Sequence, residues 1–505
     1  MARRFRYLVS TAVVAFLVTA AVAAADAPQP VVEGNRIVDD LTSKRFIPRG
    51  VNFPGFEYAC QQGWDYGEAG TAPDEAAATV AAMAAWKINT VRLPLNQDCW
   101  LGDDGLPAGD LTADGYRHAV EDFVDALNDA GIVAIVDLHW SGPDGVMADG
   151  LRPMPDDRSP AFWYSVASRF KASRSVIFDL FNEPHSRWNA NDTKVFGLGW
   201  MCWRDGGCMA PSEPDTAAVS GSGWYQTVGL SRLTSVVRDA GATQPVLLSG
   251  VDYANDLRGW REHAPDDPQL IAGFHNYTQQ RCRTATCWDR EIAPLAREVP
   301  VLAAEFGQND CGAPDHVTRF MDWADAHSIG YLAWAWWVLP TDGCGNFSLV
   351  SDLGGTPLAP VGTALHDHLA ELDAGRDPVS PGRGPDGVAG TSRRLPGLRI
   401  VSANWGHRLV RLRISINPLA SFPVRLDIRL ADRSPGRPAA DSAARAITRR
   451  IPVRSGLERL AVPIPAGTKP KLIVVSFPGD QRFRPQTVRH RPGSVPGVTP
   501  GHGRG

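Results

Sequence analysis

The chain has 505 residues, 44% hydrophobic and 21% charged, with a formal net charge of −4. That is more chain than one ordinary domain needs, and its composition is globular. After the first 25 residues no segment is long and apolar enough to span a bilayer as a helix, which excludes a bundle of membrane-spanning helices. The near-neutral total hides an uneven spread: residues 376–505 hold 24 Lys+Arg against 7 Asp+Glu, a net +17, and the residues before them balance at −21.

Met1 to Arg6 is basic, Leu8 to Ala25 is apolar and increasingly Ala-rich, and Ala23 and Ala25 precede Asp26. This is the pattern of a secretory signal peptide over residues 1–25, with an uncleaved membrane anchor as the alternative. A secreted, extracellular protein is expected, with no nucleic-acid partner. Eight cysteines, all before residue 345, suit an oxidising compartment. Pairing of neighbours is the simplest arrangement: Cys60–Cys99, Cys202–Cys208, Cys282–Cys287 and Cys311–Cys344. Zinc is the rival reading, but no Cys-x2-Cys pair with matching histidines supports it.

Val31 to Phe53 reads as a short hairpin leading into a strand over Phe46–Phe53. Strand-like apolar runs follow at Ile88–Leu95, Ile132–His139, Val176–Glu183, Pro245–Gly250, Ile271–Tyr277, Val299–Phe306 and Tyr331–Trp337. Helical patterns lie at Pro73–Trp86, Asp114–Ala130, Pro160–Ala172, Gly223–Ala240, Asp315–His327 and Val361–Leu372, with Asp114 as a cap and Gly131 as a stop. Strand alternating with helix means a parallel sheet. Eight units over about 330 residues fit an α/β (β/α)8 TIM barrel better than an open doubly wound sheet. No Gly-x-Gly-x-x-Gly follows the first strand, which weakens a dinucleotide-binding reading, and no cofactor is expected. The barrel is assigned to residues 26–372 and a Gly- and Pro-rich linker to 373–394. A small all-β sandwich-like domain is assigned to 395–480, because Val410–Ile416 and Val424–Leu430 alternate apolar with polar and Leu457–Ile464 does so more loosely. Residues 481–505, rich in Arg, Pro and Gly, are expected to be a disordered tail.

The chemistry gathers at the strand ends. Ser175 to His185 reads S-V-I-F-D-L-F-N-E-P-H, an apolar run that suits a strand covered on both faces. Pro184 cannot continue a central ladder, so Asn182 and Glu183 stand at the carboxyl end, where barrel active sites sit. A surface turn is the plain alternative. The second strand brings Arg92, and the third ends in Asp137, His139 and Trp140. The sixth ends in His275, Asn276 and Tyr277, the seventh in Glu305, and the eighth carries Trp334, Trp336 and Trp337. Two carboxylates facing each other from the fourth and seventh strands are what glycoside hydrolysis requires. Metal-assisted hydrolysis through His139, His275 and the glutamates is the competitor. It lacks a tight His-x-His pair, so no metal is expected.

The residues Val91-Arg92-Leu93-Pro94, Leu138-His139-Trp140, Asn182-Glu183-Pro184, His275-Asn276-Tyr277 and Glu305-Phe306-Gly307 resemble glycoside hydrolase family 5, the cellulase family, over about residues 45–370. The resemblance implies a retaining double displacement with Glu183 as acid/base and Glu305 as nucleophile. An ionised Glu305 nearby would keep Glu183 protonated. Arg92 would hold Glu305 ionised and aimed, Tyr277 would donate to it, and His275 would hydrogen-bond near Glu183. Asn182 suits the sugar 2-hydroxyl and His139 the catalytic subsite. Trp334 matches the family's strand-8 platform by its spacing after Gly330, with Trp336 as the fallback. Trp64, Trp100, Trp140, Trp188, Trp200, Trp203 and Trp288 fall in expected loops at the same rim and are candidate sugar platforms, with loop packing as the alternative. The insertion Ser186–Ser222 should build one wall of the cleft.

The expected activity is that of a secreted endo-β-1,4-glucanase. A β-mannanase or other β-glycanase comes second, and a non-catalytic carbohydrate-binding protein is the alternative of another class. The expected partner of the monomer is a polysaccharide, β-glucan or mannan. The basic C-terminal region lies outside the resemblance. Its readings are contact with anionic cell-envelope polymers, docking on the acidic barrel, and a carbohydrate-binding module with Trp405 as its tryptophan platform.

Overall fold

The computed structural model describes residues 27–375 apart from 222 and 340–342, together with the backbone of seven strands between 399 and 490. Eight parallel strands close into a barrel: β1 (Arg49–Asn52), β2 (Thr90–Asn96), β3 (Val133–Trp140), β4 (Val176–Asp179), β5 (Val246–Ser249), β6 (Leu270–Tyr277), β7 (Val301–Gly307) and β8 (Gly330–Ala333). Each pairs with its neighbours in sequence, and β8 pairs with β1 to complete the ring. The expected TIM barrel is therefore present.

Helices Pro73–Ala85, Ala113–Asp129, Ser159–Phe170, Leu230–Asp239, Asp315–Ala326 and Val361–Asp373 surround it. Ala113–Asp129 buries Tyr116, Val120, Phe123, Val124 and Leu127, the stripe that a 3.6-residue period lays against a sheet. Its cap is Thr112, whose hydroxyl accepts from the Gly115 amide; the expected Asp114 lies inside the first turn, where its charge meets the helix dipole. The helix expected from Gly223 starts only at Leu230, because Trp224–Val228 pairs as a strand with Gly206–Pro211. Between β6 and β7 run three helical turns that periodicity did not mark, Ala285–Cys287, Trp288–Ile292 and Ala293–Ala296. Pro294 interrupts the regular ladder there. Among the described residues no helix is long and apolar enough to cross a membrane.

Side-chain alternation along the strands decides what faces inward. Val133 and Ile135 on β3, Ile177, Leu247, Ile271, Leu302, Ala304 and Leu332 fill the barrel. Ile37 and Phe46 close its floor beneath the hairpin Pro30–Glu33/Arg36–Asp39. Gln269 fastens that hairpin, accepting from the Val32 amide at 2.8 Å and donating to the Val32 carbonyl at 3.2 Å. The intervening residues, such as Val91, Leu93, Ala134, Val136 and Leu138, pack outward under the helices. Counting on by two from Ile135 brings Asp137 and His139 inward at the top, and from Ile271 it brings His275 and Tyr277.

β7 breaks this count. Leu302 and Ala304 face inward, so strict alternation would send Glu305 out. The pairing with β6 steps from Phe274↔Ala303 to His275↔Glu305, leaving Ala304 as an extra residue. This bulge shifts the phase, so Glu305 turns into the barrel and Phe306 into the outer layer.

The four disulfides pair neighbours: Cys60–Cys99, Cys202–Cys208, Cys282–Cys287 and Cys311–Cys344. The first ties the loops after β1 and β2, and the last those after β7 and β8. Beyond the barrel, Arg399–Trp405, Leu409–Ser415 and Leu457–Pro463 form one antiparallel sheet. Val424–Ala431, Ala446–Ile451, Lys469–Phe477 and Gln486–His490 form another. Gln486–His490 falls in the stretch read as a tail. The signal peptide, most of the linker and most of the tail lie outside the described residues.

Candidate active site

The site is built around Arg92, wholly buried and inward on β2. Its Nε donates to Asp179 Oδ2 at 2.8 Å. Nη1 donates to Asn52 Oδ1 at 2.9 Å and Glu305 Oε1 at 2.8 Å, and Nη2 to Asn182 Oδ1 at 2.7 Å. Asp137 Oδ2 lies 3.0 Å from Nη2. Burial alone would weaken the hold of this guanidinium on its proton. Asp137, Asp179 and Glu305 outweigh burial, and its pKa is raised. Burial pushes the Asp137 carboxyl up to about 7 and Asp179 well above the usual range, against the pull of Arg92. One cation thus faces more carboxyls than it can neutralise.

Glu305 has both oxygens engaged: Oε1 accepts from Arg92 and Oε2 from the Tyr277 hydroxyl at 2.6 Å. Burial, and then the charge of Glu305, push the Tyr277 phenol well up, so it remains a donor. Glu183 lies opposite, its Oε1 2.9 Å from His275 Nδ1, which is also 3.5 Å from Glu305 Oε2. One oxygen of each carboxyl and that nitrogen all lie within 4.8 Å of one another. Burial pushes the Glu183 carboxyl well above its ordinary value, and Glu305 and then Asp215 add to it. His275 is held neutral, chiefly by burial and then by Arg92. The two acids therefore differ in surroundings: one meets a cation and a phenol, the other a neutral imidazole. The Glu183–His275–Glu305 spacing also matches that of metal ligands. Arg92 beside Glu305 opposes a second cation there, and in the other candidate group, Cys282, Cys287 and Glu291, the sulfurs are joined in a disulfide.

His139 Nδ1 lies 2.7 Å from Asp137 Oδ2, and burial pulls the imidazole down to about 3, so it is the neutral ring that donates. Trp334 stacks on it at 5.6 Å. Above lies a cleft of about 620 Å³. Tyr58, Trp140, Trp334 and Trp337 line it on the side of β1, β3 and β8, and Asp215, Asp252 and Tyr253 on the side of Glu183. Asp215 comes from the insertion expected to form a wall.

Arg92, His139, Trp140, Asn182, Glu183, His275, Tyr277, Glu305 and Trp334 are thus brought to one place. Trp336 is not: it is fully buried and packs against Trp86 at 4.9 Å. The strand ends at Ala333, so the alternation that linked Trp334 with Trp336 no longer applies. Trp100, Trp203 and Trp288 are likewise core residues, their indole nitrogens donating to Ser165 Oγ, the Ser249 carbonyl and the Cys282 carbonyl. Trp200 packs on Trp203, Trp188 sits beside the Lys194 ammonium, and Trp64 is half exposed against Tyr58. Sequence reasoning missed Asp179, Asn52, Glu57 and Tyr253. Asp179 was open to detection, two residues beyond inward-facing Ile177. Glu57, which lines the cleft, is pushed up to about 8 by burial while the Gly55 amide donates to it at 2.6 Å, and nothing in its sequence neighbourhood marks it.

The Cellulase (glycosyl hydrolase family 5) model matches residues 48–339. Endoglucanase CelA of Streptomyces lividans is 21% identical over 260 residues, 50% of this chain and 46% of that protein. Endoglucanase E-5 of Thermobifida fusca is 21% identical over 259 residues, 49% and 45% of the two chains. The chain therefore spans about half the length of these curated relatives. The native β-glucanase SdGluc5_26A from Saccharophagus degradans has a TM-score of 0.51 at 19% identity, over 69% of this chain and 95% of that one. Its complex with cellotetraose has a TM-score of 0.50 at 20% identity, over the same shares of the two chains. At such identities the structural likeness speaks for the fold alone. The family match, which spans more than half of the chain, carries the assignment: the protein belongs to glycosyl hydrolase family 5, the cellulase family.

Proposed function

We propose that the protein is a secreted β-glycanase that cleaves β-1,4-glucan within the chain by retaining double displacement. The observation that carries this is the carboxyl pair from the ends of β4 and β7, with oxygens within 4.8 Å and unlike surroundings. Retaining enzymes hold their two carboxyls about 5–5.5 Å apart, whereas inverting ones leave room for a water between them. Glu305, fixed by Arg92 and Tyr277, attacks the anomeric carbon. Glu183, kept protonated, gives its proton to the departing oxygen, then takes one from water as the glycosyl-enzyme is hydrolysed. Asn182, oriented by Arg92, is placed for the 2-hydroxyl, and Trp334, with Trp140, offers flat apolar faces to the sugar rings. Glucan is favoured by the endoglucanase and β-glucanase names of the relatives.

Reducing-sugar release and viscosity from carboxymethyl cellulose, mixed-linkage glucan, mannan and xyloglucan test the substrate. The two unbranched glucans should react fastest, with viscosity falling early. Proton NMR should show the β-anomer first. Cleavage of mannan alone would overturn the glucan assignment, and a first-formed α-anomer the retaining one.

Because Glu183 must carry a proton, kcat/KM should fall about tenfold per pH unit on the alkaline side once the pH passes its raised pKa. With Glu183→Gln the residual activity should lose that limb; a limb that survives would assign it to another group.

Secretion follows from the signal-like segment and suits the four disulfides. In this reading a monomeric catalytic barrel is followed by a linker and a sandwich-like accessory domain. The accessory region's net +17 favours anionic cell-envelope polymers, a contact that added salt would weaken.

A further inference from the structure

After β5 the chain turns through Asp252, Tyr253 and Ala254 with φ of 59°, 56° and 56°. Three successive left-handed residues, none of them glycine, are unfavourable alone and persist only where their surroundings hold them. The Tyr253 amide donates to the Pro184 carbonyl at 3.1 Å, and the His275 amide to the Ala254 carbonyl at 2.9 Å. Gln280 Nε2 donates to the Tyr253 carbonyl at 3.1 Å. The Tyr253 ring lies flat on His185, centroids 4.3 Å apart and planes 8° from parallel.

His185 is fully buried, and its Nδ1 lies 2.6 Å from the backbone carbonyl of Glu183. A carbonyl can only accept, so Nδ1 carries the proton. Nε2 is buried with no partner among the described residues. The imidazole is therefore oriented by two things, the bond to Glu183 and the tyrosine ring above it. Tyr253 thus grips two consecutive peptide carbonyls: Pro184's directly, and Glu183's through His185.

We propose that Tyr253 is a positioning residue for Glu183, holding the Glu183 peptide through His185 so that the carboxyl meets the departing oxygen. This rests on the acid role given to Glu183 above and adds a residue which that role does not require. In the step concerned, the bond from the anomeric carbon to the leaving oxygen breaks, Glu305 bonds to that carbon, and the Glu183 proton passes to the oxygen. A sugar alkoxide needs that proton to leave; a dinitrophenolate does not.

The test compares kcat for an unactivated cello-oligosaccharide with the glycosylation rate of dinitrophenyl β-cellobioside. Tyr253→Leu should slow the oligosaccharide by about 30–100-fold, part of the 10²–10⁴ that general acid catalysis supplies, and the activated substrate by less than about threefold. Tyr253→Phe, which keeps the ring, should stay within about threefold on both. Equal losses on the two substrates, no loss on either, or a Phe variant as slow as the Leu variant would each overturn the proposal. If Tyr253→Leu does not fold, His185→Gln is read on the same pair of substrates with the same expectation and the same overturning outcomes. Wild-type protein that cleaves neither substrate would instead sink the glycanase reading itself.

Discussion

Glu305→Gln is expected to lower kcat/KM on every glycan the enzyme cleaves by at least about 10⁴-fold, or ~5.5 kcal/mol of transition-state stabilisation. The substitution keeps the shape of the side chain: its one oxygen can still accept from Arg92, at 2.8 Å in the wild type, and its amide can donate to the Tyr277 hydroxyl, at 2.6 Å in the wild type, which then accepts. What it removes is the negative charge and lone pair that bond to the anomeric carbon. Thermal unfolding should change little, which separates this loss from misfolding. The sharper version uses Glu305→Gly with added azide. In the vacated space azide attacks from the same face as the missing carboxylate, giving an α-glycosyl azide from a β-glycan. Glu183→Gly with azide should give the β-azide, by attack on a glycosyl-enzyme that Glu305 has already formed. A Gln variant as fast as wild type, or the two azide products exchanged, would reverse or abolish the assigned roles.

Arg92→Met should be the most destabilising single substitution in the site. Methionine fills much of the same volume but leaves Asp137, Asp179 and Glu305 buried without their shared cation. Removing one partner of a buried ionic group costs about 3–5 kcal/mol, because the remaining charge stays in a low-dielectric place. Urea unfolding would read this as a lower midpoint. The deficit should also depend on pH. Asp137 and Asp179 already have raised pKa values, and losing Arg92 raises them further. A folded-state pKa above the unfolded one penalises folding as pH rises from the unfolded value to the folded one. The variant should therefore lie nearer to wild type at pH 4.5 than at pH 8. Arg92→Lys should recover part of the stability and little of the activity, since one ammonium cannot reach Asp179, Glu305 and Asn182 together. Equal stability of wild type and Arg92→Met at pH 8 would show that Arg92 does not offset the cost of burying these carboxyls, since a carboxyl left neutral at that pH would still carry the penalty of its raised pKa.

Much of this was legible in the order of residues. Eight apolar runs alternating with helical patterns suffice for a closed parallel sheet, because burial on both faces leaves such strands no other home. Cys60–Cys99 and Cys311–Cys344 pair because the loops after adjacent strands emerge side by side, and Cys202–Cys208 and Cys282–Cys287 because each pair lies close together within one loop. The polar residues on β3 and β6 follow inward-facing apolar ones in steps of two, and Arg92 alternates with outward-facing Val91 and Leu93, so Arg92, Asp137, His139, His275 and Tyr277 could be placed by counting. Other features depended on contacts distant in sequence. Trp100, Trp203 and Trp288 looked like platforms because they lie between strands, but each sits on a short helical turn that presents it to the core. Only its spacing after Gly330 sets Trp334 ahead of Trp336 in the sequence, since alternation puts both on one face and a chain leaving a strand no longer keeps it. Tyr253 drew no attention because its partners, Pro184 and His185, belong to another strand end.

Glu305 was found for a reason that the pattern itself does not justify: parity points it outward. The slip that turns it inward resides in the backbone pairing of β7 with β6, at Ala304. Exchanging side chains around it can therefore retune what the carboxylate feels, but cannot rotate it away. Only a gain or loss of one residue in that strand could, so the aim of position 305 survives misspelling nearby and is fragile to changes in length.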